Sequence, residues 1–155
     1  MGIGTTVPTT GVSGGGLPIP DAQSVLGLVE TLARIAVMIG PLLILGFGLV
    51  FLLAPPKEAT HRAGYRFWWG MASLEAWQFT QRLAGMVWSG LGLVLTVVMA
   101  ILCGGIGGPD LMDVLVEAMI WIGSQGIALV VACIAIDIAV VCVFDRRGFR
   151  RRDYK

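Results

Sequence analysis

Four ionisable residues, Arg66, Glu75, Arg82 and Asp137, stand beside or inside strongly apolar runs, and any chemistry is to be sought there. Arg66 follows Tyr65 and precedes Trp68 and Trp69. A guanidinium among aromatic rings can stack on one of them or grip a carboxylate or phosphate with two parallel bonds. Its role is then to recognise an anion, a lipid headgroup or an acidic partner. The plainer reading is an internal ion pair with Glu75. Glu75 and Arg82 are seven residues apart, which puts them on one side of a helix without direct contact. With Gln78 and Gln81 they could face an aqueous cavity, or simply form a solvated first turn. Asp137 lies inside an apolar run, where a carboxylate costs about 2.5–3.5 kcal/mol on insertion scales. It must be functional, internally paired or close to the surface, and Arg82 is a candidate partner. Three cysteines, Cys103, Cys133 and Cys142, lie in apolar runs without metal-ligand spacing, and His61 is the only histidine. With no nucleophile–base pair and no phosphate loop in view, no catalytic residue, metal or cofactor is expected, and the chain is not expected to be an enzyme.

The elements that must hold these residues are helices in a membrane. The chain is 56% hydrophobic and 14% charged, against about 25% charged in an average soluble domain. Residues 35–53, 83–103 and 119–144 are apolar runs long enough to cross a bilayer core of about 30 Å, interrupted only by Gln125 and Asp137 in the third. The expectation is an all-α membrane protein with three transmembrane helices in a membrane domain over residues 21–145. Asp21 serves as N-cap of a first helix that either lies in the interface or extends the first span. Pro41 is expected to kink that span mildly, a neighbour supplying the bond that proline frees. Pro55 and Pro56 end it. Ser73 is a plausible N-cap for the second helix. Residues 104–110 form a glycine-rich turn. Residues 1–20 read as a flexible tail, whose Gly2 and Thr6 fit a myristoylation pattern that short chance matches also produce.

Basic residues set the expected orientation. Residues 54–82 carry Lys57, Arg62, Arg66 and Arg82, and the tail at 146–155 carries six more, whereas the connection between the second and third spans has acids only. The positive-inside rule places the 54–82 loop and the C-terminus in the cytoplasm and the N-terminus outside. A net charge of +1 gives no global basic field, so direct nucleic-acid binding is not expected.

The 54–82 loop and the start of the following run hold one more pattern. Pro55, Pro56 and Lys57 are followed by Gly64, Tyr65 and Arg66, then Met71, Glu75, Trp77 and Phe79, then Arg82, Ala84 and Gly85, in one ungapped register. Over roughly residues 38–100 the chain resembles the SdpI-type immunity protein family of bacterial multi-pass membrane proteins. It departs from the family pattern at Thr60 and Gln81, where asparagine is usual, at Phe67 in place of threonine, and at Gly70 in place of serine. The resemblance implies a cell-membrane protein that protects against a membrane-active peptide toxin, and some members of the family also signal by holding a cytoplasmic repressor at the membrane. It implies binding of a partner or membrane lipid through Lys57, Gly64, Tyr65, Arg66, Met71, Glu75, Trp77, Gln81 and Arg82. Trp77, on the helix face that continues to Ala84 and Trp88, is expected to anchor the loop to the bundle.

Two other readings stand beside this one. A small transporter or channel subunit would use Asp137 and Arg82. A structural or assembly subunit would dock through its arginine-rich tail. A homo-oligomer is a further expectation, motivated by Gly85, Ser89, Gly90, Gly92, Gly123 and Gly126 as surfaces for close helix approach.

Overall fold

The computed structural model describes residues 21–56 and 64–151. Helix α1 spans Ala22–Leu53, α2 spans Leu74–Leu102 and α3 spans Leu111–Val143. All three are long and apolar enough to cross a membrane, and the chain is a multi-pass membrane protein. At 1.5 Å per residue each helix measures about 45–50 Å, so each projects beyond a 30 Å hydrocarbon core. The segment before the first span is therefore continuous with it and not a separate interfacial helix. Asp21 holds the N-cap position, but its carboxylate bonds the Ser24 hydroxyl and not a backbone amide. The 104–110 turn opens with a short 3-10 turn, Cys103–Gly105.

Small residues bring α1 and α2 together along most of their length, while α3 packs more lightly on both. A Cβ on Gly48 would strike the Ser89 backbone, one on Gly85 would come within 2.7 Å of the Leu52 nitrogen, and one on Gly92 would strike Leu45. Gly85, Ser89 and Gly92 are thus consumed inside the bundle. Gly90, Gly123 and Gly126 have open space at the Cβ position.

Pro41 sits inside α1 and has no N–H to give to Val37. Gln125, 5% exposed on α3, donates from Nε2 to that Val37 carbonyl at 3.1 Å. A polar residue in the middle of an apolar helix is therefore the partner of a proline two helices away.

Two apolar cores lie at opposite ends of the bundle. One gathers Val37, Met99, Ile106 and Val114, and is closed by Arg34, whose Nη2 donates to the Ile106 carbonyl at 2.8 Å. The other gathers Ala76, Ala84, Ile136, Val140 and Phe144 with a rim of aromatic rings. This second end carries the loop.

Candidate functional site

Gly64 starts the described part of the loop, and only glycine fits there. Its φ is +119°, and a Cβ would lie 2.8 Å from the Trp77 ring and 3.0 Å from Gln81 Oε1. Tyr65 follows with its backbone held on both sides by one side chain. Its N–H donates to Gln81 Oε1 at 2.9 Å, and its carbonyl accepts from Gln81 Nε2 at 2.8 Å. Gln81 is fully buried, so these two bonds satisfy polar groups that have no water to turn to. Trp77, also fully buried, donates its indole N–H to the Pro56 carbonyl at 3.0 Å and so holds the other end of the loop.

The Tyr65 ring stands edge-on to Trp88, with centroids 5.6 Å apart. Its hydroxyl donates to Asp137 Oδ1 at 2.7 Å and lies 3.2 Å from the Cys133 carbonyl. Of the roles open to Asp137, function, internal pairing or closeness to the surface, the structure shows an internal partner, which is the tyrosine of the loop in place of the candidate Arg82. Arg82 is exposed on the far side of α2. Burial, and then the neighbouring Asp137, hold the Tyr65 phenol above the ordinary tyrosine range. The stability that comes with keeping this phenol protonated is therefore fully present below about pH 10 and is lost as pH rises beyond it. A cycle of Tyr65→Phe and Asp137→Leu, read by thermal unfolding in detergent, should give a coupling of about 1–2 kcal/mol. Additive single effects would remove the bond from the account.

After Arg66 the chain turns back toward α2. Phe67 is half-buried against Trp69, with centroids 6.2 Å apart, and the 3-10 turn Trp69–Met71 follows. Gly70 is buried where a Cβ would meet Thr80 Oγ1 at 2.6 Å. Trp68 points outward, 85% exposed, as an interfacial tryptophan does. Ser73 caps α2 by accepting from the Ala76 N–H at 3.1 Å.

The segment after α3 folds onto the same place instead of trailing away. Asp145 Oδ1 accepts from the Arg147 and Phe149 amides, Gly148 takes φ +79°, and Phe144 bridges Arg150. Ser73 Oγ donates to the Gly148 carbonyl at 2.8 Å, and Arg150 Nε meets Glu75 at 2.7 Å. The expected Arg66–Glu75 pair is thus replaced by Arg150–Glu75. Both partners are largely exposed, so this pair adds little stability by itself. Arg146 lies over the Trp69 ring at 6.0 Å.

Of the residues singled out from the sequence, Gly64, Tyr65, Trp77, Gln81 and Asp137 are brought together as an internal lock. Met71 is half-buried in the 3-10 turn, and Arg66, Glu75 and Arg82 face outward. Arg66 forms no hydrogen bond or ion pair among the described residues. Lys57, Thr60 and His61, like residues 1–20 with Gly2 and residues 152–155, lie outside the described residues. Arg150 and the Ser73–Gly148 bond went unread, although Asp145 and Gly148 three residues apart are a turn signal.

The family model described as the SdpI/YfhL protein family matches residues 57–144. No curated protein and no solved structure matches the chain. The family match covers more than half of the chain, and the chain belongs to this family. The matched stretch begins at the loop and ends at Phe144. It takes in all of α3 and leaves out α1, a different reach from the 38–100 resemblance.

Proposed function

We propose that this SdpI/YfhL family member is a non-enzymatic immunity protein of the bacterial cell membrane, protecting it against a membrane-active peptide. The folded loop, Asp137 and the turn after α3 form a cap on one end of the bundle, and the cap is the surface that recognises a partner. The observation that carries this reading is the family match over the loop, α2 and α3, the elements joined by the Gln81–Tyr65–Asp137 lock. The cap lies in the cytoplasm, with the N-terminus outside. Arg66, Arg82, Arg146, Arg147, Arg150 and Arg151 all belong to the cap end, whereas Asp110 and Asp113 lie at the start of α3, at the other end. A cytoplasmic regulator held at the membrane would meet the same surface. The transporter reading loses its motivating pair, because Asp137 bonds Tyr65 and not Arg82.

The test is survival of a peptide-sensitive bacterial strain expressing the protein. Protection against at least one membrane-active peptide is expected, and unchanged killing by every peptide tried would count against the proposal. Arg66→Ala should reduce protection about tenfold while the amount of protein in the membrane stays constant, as expected for loss of a charge-assisted contact. Full protection by that variant would move recognition away from the loop.

A further inference from the structure

Three shallow cavities follow one another around the base of α2, at the end of the bundle that carries the cap. One of about 380 Å³ lies between Pro55, Pro56 and Arg82. The next, about 260 Å³, shares Gln78 and Arg82 with it and reaches Arg150. The third, about 340 Å³, shares Phe79 and Arg150 with the second and ends at Arg151. Their depth in the membrane follows from α2. Residues 83–103 are free of charge, and at 1.5 Å per residue they span about 31 Å, the thickness of the hydrocarbon core. Arg82 therefore stands at the boundary where phospholipid phosphates lie. The other cavity walls are the last residues of α1 and α3, which leave the core at the same level.

The arginines are arranged for an anion. Arg150 reaches Glu75 through Nε, and Arg151 donates through Nε to the Phe144 carbonyl at 3.3 Å. Arg150 is thus held by Glu75 and Arg151 by the Phe144 carbonyl, and both side chains stay exposed at the rim of the cavities. Among the described residues, Glu75 is the only acid lining these cavities, against three arginines. Deeper along α2, Leu83 and Met86 form an apolar wall, Met86 being 55% exposed. One turn further, Gly90 leaves open space on the helix surface. A charged rim above a shallow apolar channel matches a molecule with an anionic head and a hydrocarbon chain.

We infer that Arg82, Arg150 and Arg151 bind the phosphodiester headgroup of an anionic phospholipid, with an acyl chain lying along Met86 and Gly90. The site is on the lipid-facing surface of α2 and borrows Arg150 and Arg151 from the turn after α3, whereas Arg66 lies outside it. It stands whether or not the protein confers immunity.

The experiment is native mass spectrometry of the full chain in detergent, offered phosphatidylglycerol and phosphatidylcholine with identical acyl chains. Each basic residue near an anionic surface contributes about fivefold in affinity, so two net charges give about twenty-fivefold preference for phosphatidylglycerol. Arg82→Gln should lower that preference about fivefold, because Arg82 makes no hydrogen bond or ion pair among the described residues that its loss would break. The double variant Arg82→Gln with Arg151→Gln should retain both lipids equally and remain folded, Arg151→Gln losing only the Nε bond to the Phe144 carbonyl. Equal retention by the wild type, or a preference surviving in the double variant, would overturn the site. Inorganic phosphate at millimolar concentration should leave the lipid bound. Displacement by phosphate alone would assign the cleft to a free phosphate group and overturn the lipid assignment.

Discussion

Gln81→Leu is expected to destabilise the folded protein by about 4 kcal/mol, the largest effect of any single side chain in the cap. The leucine fills nearly the same volume, so the change isolates the amide. It leaves the Tyr65 N–H and carbonyl without partners in a place where Gln81 itself is fully buried. An unsatisfied buried group costs about 1–3 kcal/mol, and two are created together. The protein can limit this loss by letting the loop swing out into water, and that escape has its own signature. Tryptic cleavage after Arg66, which is exposed but held in a folded loop, should then rise about tenfold or more. Gln81→Glu separates the two bonds. It keeps an acceptor for the Tyr65 N–H but removes the donor to the Tyr65 carbonyl and buries a carboxylate, so it should be at least as damaging. Wild-type unfolding and cleavage in Gln81→Leu would show that the loop is held elsewhere.

Gly92→Val should abolish folding of the α1–α2 pair. The added Cβ would strike the Leu45 nitrogen and stand 2.6 Å from its Cα. Backbone cannot rotate aside as a side chain does, so the two helices must separate along their length. Overpacking ordinarily costs about 1–3 kcal/mol, and a clash against backbone at the main helix contact belongs at or above the top of that range. The yield of folded protein on size exclusion in detergent should fall by about tenfold or more. Gly90→Ala is the matched control, since its Cβ meets nothing within 4 Å and it should leave the yield unchanged. A folded Gly92→Val protein would mean that α1 and α2 tolerate a wider spacing.

The helices are readable because the bilayer demands long charge-free runs, and α1, α2 and α3 cover the runs at 35–53, 83–103 and 119–144, save the last residue of the second and of the third. The Ser73 cap was readable for a local reason: capping involves a side chain and an amide three residues on. The lock was not readable, because Tyr65 and Asp137 are 72 residues apart and their pairing depends on how α3 lies against the loop. Gln81 was grouped with Glu75 and Arg82, yet neighbouring helical residues point about 100° apart, so Gln81 cannot share the face of Arg82. That rotation sends Gln81 into the bundle and leaves Arg82 on the lipid side.

The departures from the family pattern take a physical meaning from the same contacts. Gln81 has the reach to bond both the N–H and the carbonyl of Tyr65. Gly70 leaves the space that Thr80 fills, and Phe67 adds a ring to the aromatic rim. These three residues lie inside the cap, whereas Arg66 faces outward.

Amide hydrogen exchange across residues 64–72, followed by mass spectrometry on the full chain in detergent, tests most directly whether the loop is a folded cap. The Tyr65 amide is bonded to Gln81, and the Met71 and Ala72 amides are bonded to Phe67 and Trp69. These amides should exchange at least about a hundredfold more slowly than an open chain, and Gln81→Leu should remove the protection at Tyr65. Complete exchange of the wild-type segment at open-chain rates would contradict the cap and with it the assignment of Arg66 as its outward face.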